Sequence, residues 1–147
     1  MVATAKKSEQ ITMIEEGKIN ASADNAKLRI ACFDFKQGTG AGTAGSTADL
    51  VVLPGLCRIV PALSRITTSN LGATLNIGLR EYKDVEGTVI AEDDDALATA
   101  LSGDATSKDL NIEGYLDVDA QSSVTVFAKG TLPANATLKG YIAYLAD

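Results

Sequence analysis

Between Ala73 and Arg80 the chain alternates strictly. Leu75, Ile77 and Leu79 are apolar, while Thr74, Asn76, Gly78 and Arg80 are small or polar. Period two belongs to a strand with one face in a core and the other in water. Short runs of the same character lie on either side, bounded by turn residues. Leu28 to Phe35 reads as a strand with Leu28, Ile30 and Cys32 on one face. A second strand begins at Leu50 and stops at the turn pair Pro54-Gly55. Leu56 to Leu63 resumes an extended run, in which Pro61 predicts an edge position or a bulge because proline has no N–H for a ladder. EYKDVEG, residues 81–87, is a charged turn before a short strand at Thr88 to Ala91. Ile112 to Val118, Ser123 to Lys129 and Leu138 to Leu145 complete the candidates. The last is apolar on both faces, with Tyr141, Ala143 and Leu145 opposite Ile142 and Tyr144, so it is central in the fold or covered by a partner.

One segment reads as a helix. Three aspartates, Asp93 to Asp95, precede ALATAL. Carboxylates at a helix start accept orphan N–H groups and favour the positive end of the dipole. The expected helix runs from Asp93 to Leu101 and stops near Gly103. Seven or eight short strands and one helix define an all-β fold, an antiparallel sandwich or jelly-roll-like domain over residues 28–147.

The core of such a domain must be aliphatic, because 46% of the 147 residues are apolar but only 5% are aromatic and none is Trp. A net charge of −6 repels phosphate backbones, which argues against direct nucleic-acid binding and suits a partner with a basic surface. No stretch approaches the ~20 apolar residues of a membrane helix, and residues 1–10 carry no apolar signal-peptide region, so neither is expected.

Catalytic chemistry finds no foothold. The chain has no histidine, which removes Ser-His and Cys-His pairs together. Cys32 and Cys57 alone cannot make a four-ligand zinc site, and each sits in an apolar run where a buried thiol acts as a small hydrophobe. A disulfide between them requires their strands to be neighbours. Gly40 to Gly45 spells G-x-G-x-x-G after a strand, but the following STADLVVLPG is no helix, so there is no helix N-terminus for a pyrophosphate and the segment reads as a flexible loop. Asp93, Asp94 and Asp95 invite a calcium reading. On a helix they would diverge, so capping is the preferred role. Asp117 and Asp119 share a strand face and read as solvated. Asn20-Ala21-Ser22 and Asn135-Ala136-Thr137 match glycosylation acceptors and read as polar turns without a secretory signal. No catalytic, cofactor or metal residue is expected.

Residues 1–27 differ from the rest, with one apolar cluster, Ile11 to Ile14, among charged and small residues and no sustained period. They read either as a tail or as an arm that orders on a neighbouring subunit. At about 3.3 Å per residue an extended segment of this length reaches roughly 80 Å.

The run Gly87-Thr88-Val89-Ile90-Ala91-Glu92-Asp93, leading into Ala96 to Leu101, resembles the head decoration (cement) proteins of tailed bacteriophages. The similarity covers Asp49 to Leu101 and the closing TLPANATLKGYIAYLAD, about half the chain, and its motif is compositional. It implies a structural virion protein on the outer surface of the capsid, with the major capsid protein and its own copies, as a homotrimer, for partners. It implies no enzymatic activity and no cofactor. A ligand that binds the closed lattice better than free subunits stabilises the shell, and a trimer multiplies weak contacts. The contact residues expected on this reading are Ile11, Met13 and Ile14 of the arm and Tyr141 and Tyr144 of the last strand. The alternative is a carbohydrate-binding β-sandwich of a phage tail or capsid surface, which seven aromatics without Trp suit less well.

Overall fold

A computed structural model describes residues 27–71, 73–103 and 105–146. Ten strands fill it: β1 (Lys27–Lys36), β2 (Ser46–Ile59), β3 (Arg65–Ser69), β4 (Leu75–Leu79), β5 (Tyr82–Lys83), β6 (Val89–Ile90), β7 (Asp93–Leu101), β8 (Ser107–Asp109), β9 (Leu116–Gly130) and β10 (Thr137–Ala146). A 3-10 turn, Pro61–Leu63, separates β2 from β3. Every pairing is antiparallel. One sheet runs β7-β4-β9-β2-β10-β3-β8, with β1 on the other edge of β10, while β5 and β6 form a small separate hairpin. This is the curled antiparallel sheet of the sandwich and jelly-roll class. Residues 1–26, including the predicted arm anchors Ile11, Met13 and Ile14, lie outside the described residues.

The alternation at β4 is borne out: Leu75, Ile77 and Leu79 are buried. They join Leu53, Ile59, Ile66, Leu97, Val124, Val126, Leu138 and Ile142 in a core built from aliphatic side chains, each fully buried one worth roughly 1.5–3 kcal/mol. β10 is central, as its two apolar faces allow. Its register with β1 is unbroken from Lys27↔Ala146 to Lys36↔Thr137.

The opposite edge of β10 is held by two strands in line. Ile59 and Arg58 of β2 face Tyr144 and Leu145, and Arg65 to Ser69 of β3 face Tyr141 to Thr137. The 3-10 turn bulges out between them, leaving Ala143 with no strand residue opposite. Val60 N–H donates to the Ala143 carbonyl at 3.0 Å. Ser64 Oγ accepts the Ala143 N–H at 2.9 Å and donates to the Val60 carbonyl at 3.0 Å. Ser64 is fully buried, and its hydroxyl stands in for the missing rung of the ladder. Pro61 therefore sits at an irregularity, as expected of a proline in a strand-like run.

Two expectations are corrected. Pro54-Gly55 does not end β2, which continues to Ile59. The pair instead lies at a bulge, where the register steps from Pro54↔Ser123 to Leu56↔Asp119. Gly55 is needed there because a Cβ would strike the Ala120 carbonyl oxygen. The predicted helix from Asp93 to Leu101 is a strand, β7, paired with β4. Nine residues make a helix too short to stand alone in water, so tertiary burial decides. As a bulged strand the segment buries Leu97, Ala98 and Leu101 and still satisfies its backbone. The Asn111 side chain accepts the Thr99 N–H at 2.8 Å and donates to the Thr99 carbonyl at 2.7 Å, replacing a neighbouring strand. Asn76 Oδ1 accepts the N–H of Ala100, whose φ of 48° is left-handed.

The bulge of β7 crosses directly over Gly78. Register passes from Ile77↔Ala98 to Leu79↔Asp93, and a Cβ on Gly78 would collide with the Asp93 carbonyl oxygen and the Asp94 backbone. We expect Gly78→Val to destabilise by about 2 kcal/mol or more, since backbone on both sides must move. Ser64→Ala, which strands the Ala143 N–H, should cost about 1–3 kcal/mol. Urea unfolding midpoints check both; an unchanged midpoint for either variant contradicts the contact assigned to it.

Candidate interaction surface

The outer face of β1 and β10 leaves apolar side chains in water. Phe33 of β1 and Leu138 and Ile142 of β10 are buried, which turns the alternate residues outward. In register these are Leu28 with Leu145, Ile30 with Ala143, Cys32 with Tyr141 and Asp34 with Lys139. Leu28 and Ile30 are each 56% exposed, and Tyr141 and Leu145 are half-buried. Leu63, on the turn beside Ala143, is also exposed. The predicted grouping of Leu28, Ile30 and Cys32 is thus correct, and the shared face is the solvent side.

Charged residues frame this face. Arg58, opposite Leu145, is paired to Asp117 through Nε–Oδ1 at 2.6 Å and lies 4.0 Å over the Tyr115 ring. Arg65, opposite Tyr141, reaches Asp109 at 3.4 Å. Both ion pairs are solvent-exposed and add little stability. Asp117, expected to be merely solvated, is therefore engaged by Arg58.

Tyr141 and Tyr144 are not brought together. Three positions apart on one strand, they point to opposite faces. Tyr144 packs against the core, while Tyr141 stands on the outer face between Cys32 and Arg65. Cys32 and Cys57 are both free thiols, Cys32 exposed and Cys57 buried. Burial, with a smaller contribution from the Asp117 charge, pushes the Cys57 thiol up to about 11.

Three other clusters lie elsewhere on the surface. Arg80 lies 4.1 Å over the buried Phe127 ring, held by Asp49, Glu92 and Thr47, each at 2.9 Å. The Glu92 hydrogen bond, above all, raises its pKa further. The cluster ties β2, β4, β9 and the segment before β7 on the outside of the sheet, a structural role that the sequence did not announce. The Asp93, Asp94 and Asp95 carboxylates do not diverge as a helix would make them; their oxygens lie within 4.8 Å of one another. Hydrogen bonding to Asp93 is the main cause that raises the Asp95 carboxyl pKa from its ordinary value. Lys129 Nζ neutralises Asp94 at 2.9 Å, on the rim of a shallow polar depression that Asn76 and Gly130 also line. The β5–β6 hairpin is closed by Asp84, whose Oδ1 accepts the Glu86 and Thr88 N–H groups at 2.9 and 2.8 Å.

The Gly40–Gly45 loop leads from β1 straight into β2, with Gly42 N–H donating to the Leu132 carbonyl at 2.7 Å, so the helix of a dinucleotide site is absent there. Tyr115, at 60% exposure, is the most open aromatic among the described residues, and Arg58 already covers its ring.

No protein-family model and no curated protein matches the sequence. Among solved structures, the fold is similar to a chain of the cyanophage Pam1 capsid asymmetric unit. That match has a TM-score of 0.57 and 15% identity, and covers 83% of this chain and 86% of that one. The fold is also similar to part of a chain of infectious bursal disease virus, strain Gx, with a TM-score of 0.49 and 12% identity; 84% of this chain is covered but only 32% of that one.

The two thiols provide a direct check of the face assignment. At neutral pH a maleimide should label Cys32 of the native protein. Cys57 should react at least about a hundredfold more slowly than a thiol of ordinary acidity, through its lower thiolate fraction alone. Equal labelling of both cysteines before unfolding would contradict the assignment of inner and outer faces.

Proposed function

We propose that the chain is a capsid decoration, or cement, subunit of a tailed bacteriophage. In this reading it is a structural virion protein that binds the outer surface of the assembled major capsid lattice as a homotrimer and performs no catalysis. One observation carries the reading. The β fold corresponds nearly end to end with a chain from a phage capsid asymmetric unit, and the two coverages are almost equal, so the chains are of similar length. The sequence resemblance around Gly87 to Leu101 points the same way and does not depend on the fold comparison.

The surface suits the role. An acidic protein presenting Leu28, Ile30, Tyr141 and Leu145 on one sheet face has a ready site for protein contact. Contacts made only on the closed lattice stabilise that lattice by mass action, and three linked subunits hold on more tightly than one. Residues 1–27 serve as an arm in this reading, with Ile11, Met13 and Ile14 as anchors on a neighbouring subunit or on the capsid.

The test is reconstitution. Purified protein should co-sediment with heads assembled from the major capsid protein of the same phage, raise their thermal stability, and appear in electron cryo-microscopy as threefold density on the outer surface. Failure to co-sediment, or isolated single copies together with a monomer in light scattering, would overturn the proposal. Deleting residues 1–20 should leave the β domain folded by circular dichroism while weakening trimer or head binding by about tenfold or more. Undiminished binding would reduce the segment to a passive tail.

A further inference from the structure

Along β1 the exposed apolar residues come at every second position. Leu28 and Ile30 are followed by Cys32 and then Asp34, all on the outer face. β1 is an end strand, and among the described residues its one strand neighbour is β10. The chain outside the described residues joins the fold at this place, since residue 26 leads into Lys27, the first residue of β1. Within that segment Ile11 and Met13 are also two positions apart. In extended chains such residues share one side at about 6.6–6.8 Å spacing.

Laid antiparallel beside β1, the segment matches it residue by residue. With Met13 beside Leu28, Ile11 falls beside Ile30, Glu9 beside Cys32, and Lys7 beside Asp34. Apolar residues meet apolar ones, and the lysine meets the aspartate. A parallel alignment that keeps the apolar pairs sets Glu15 beside Cys32 and Gly17 beside Asp34, and loses the Lys7 pairing.

The spacer decides whose β1 is used. Residues 15–26 separate Ile14 from Lys27, and these twelve positions span about 40 Å when extended. Doubling back on the same β1 needs a hairpin loop of only about 2–5 residues. A spacer longer than the ten-residue strand itself suits a reach to the next subunit, where closure of a ring multiplies one weak contact by the number of arms.

We infer that the outer side of β1 is the docking site for residues 7–13 of a neighbouring copy, in the antiparallel register that sets Met13 beside Leu28 and Glu9 beside Cys32. This rests on reading the first residues as an arm, as in the proposed function, but not on any contact with a capsid.

Cys32 supplies the probe, because it is the exposed thiol while Cys57 is buried. In the full chain, Glu9→Cys should form a disulfide with Cys32 of another subunit under mild oxidation, giving covalent oligomers on a non-reducing gel. Gln10→Cys, on the opposite side of an extended segment, should link at least tenfold more slowly. Adding Ile30→Asp to Glu9→Cys should cut linkage at least tenfold without changing the circular dichroism, since Ile30 is an exposed site. Equal linkage at positions 9 and 10, linkage confined within single chains, or linkage indifferent to Ile30→Asp would each overturn the inference. The experiment uses purified subunits without heads. Unlinked subunits that still bind heads overturn this inference alone, and linked subunits that bind no heads overturn the cement reading alone.

Discussion

The fold depends on a three-bond bracket around Ala143. β2 pairs with β9 along its whole length, and its last two residues, Arg58 and Ile59, also pair with β10 on their other side before handing that edge of β10 over to β3. The handover breaks the line of strand along β10, and a buried backbone N–H would be orphaned at the break. Ser64 supplies the acceptor, and Val60 the donor to the carbonyl. The Ser64 backbone extends the bracket, because its carbonyl accepts the Leu110 N–H at 3.2 Å and ties in the segment after β8. An apolar residue at position 64 would pack as well and leave the ladder unsatisfied, a cost as large as one good core contact.

Closing the two layers over an aliphatic core follows from composition. Aromatics are scarce, and of the large rings only Phe33 and Phe127 are buried. Phe127 does not enter the main core cluster; it lies on the outside of the sheet under Arg80. A guanidinium held by two carboxylates and a hydroxyl can cover an aromatic face while its charge stays at the water boundary, so the sheet gains a second, smaller packed patch on its outer surface.

What could be read from the sequence followed how local each cause is. Alternation at Leu75 to Leu79 is a local signal with a single interpretation, and the strand is where the pattern places it. The segment from Asp93 to Leu101 has good helix formers and a good cap, yet its partners decide otherwise: Gly78 leaves room for its backbone, Asn111 and Asn76 satisfy its free amides, and Leu97 and Ala98 fill the core. Asn76 and Gly78 lie fifteen residues or more before the segment and Asn111 lies ten after it, so a short window over the segment does not contain them. Pro54-Gly55 misled for the same reason, since the pair is a turn by itself and a bulge only opposite the β9 segment that crowds Gly55. β3 and β8 are short strands made by pairing, without a period of their own. For the interaction surface, the face shared by Leu28, Ile30 and Cys32 was legible, but its orientation was not, because alternation marks two faces without saying which is wet. Phe33 and Phe35 on the other face carry the larger apolar area, and that difference was the available clue.

The orientation of β1 has a physical logic in a strand at the end of a sheet. Its inward face is fixed by Phe33, so any apolar residue between the inward positions must stand in water unless another chain covers it. Most end strands blunt this exposure with charge. Here Asp34 and Lys36 do so in the second half of the strand, while Leu28 and Ile30 leave the first half bare. A strand so divided is protected where it leads into the glycine-rich loop and open where the polypeptide enters the fold. That asymmetry gives an incoming segment a direction, with apolar residues anchoring at the start of β1 and charge fixing the register further along.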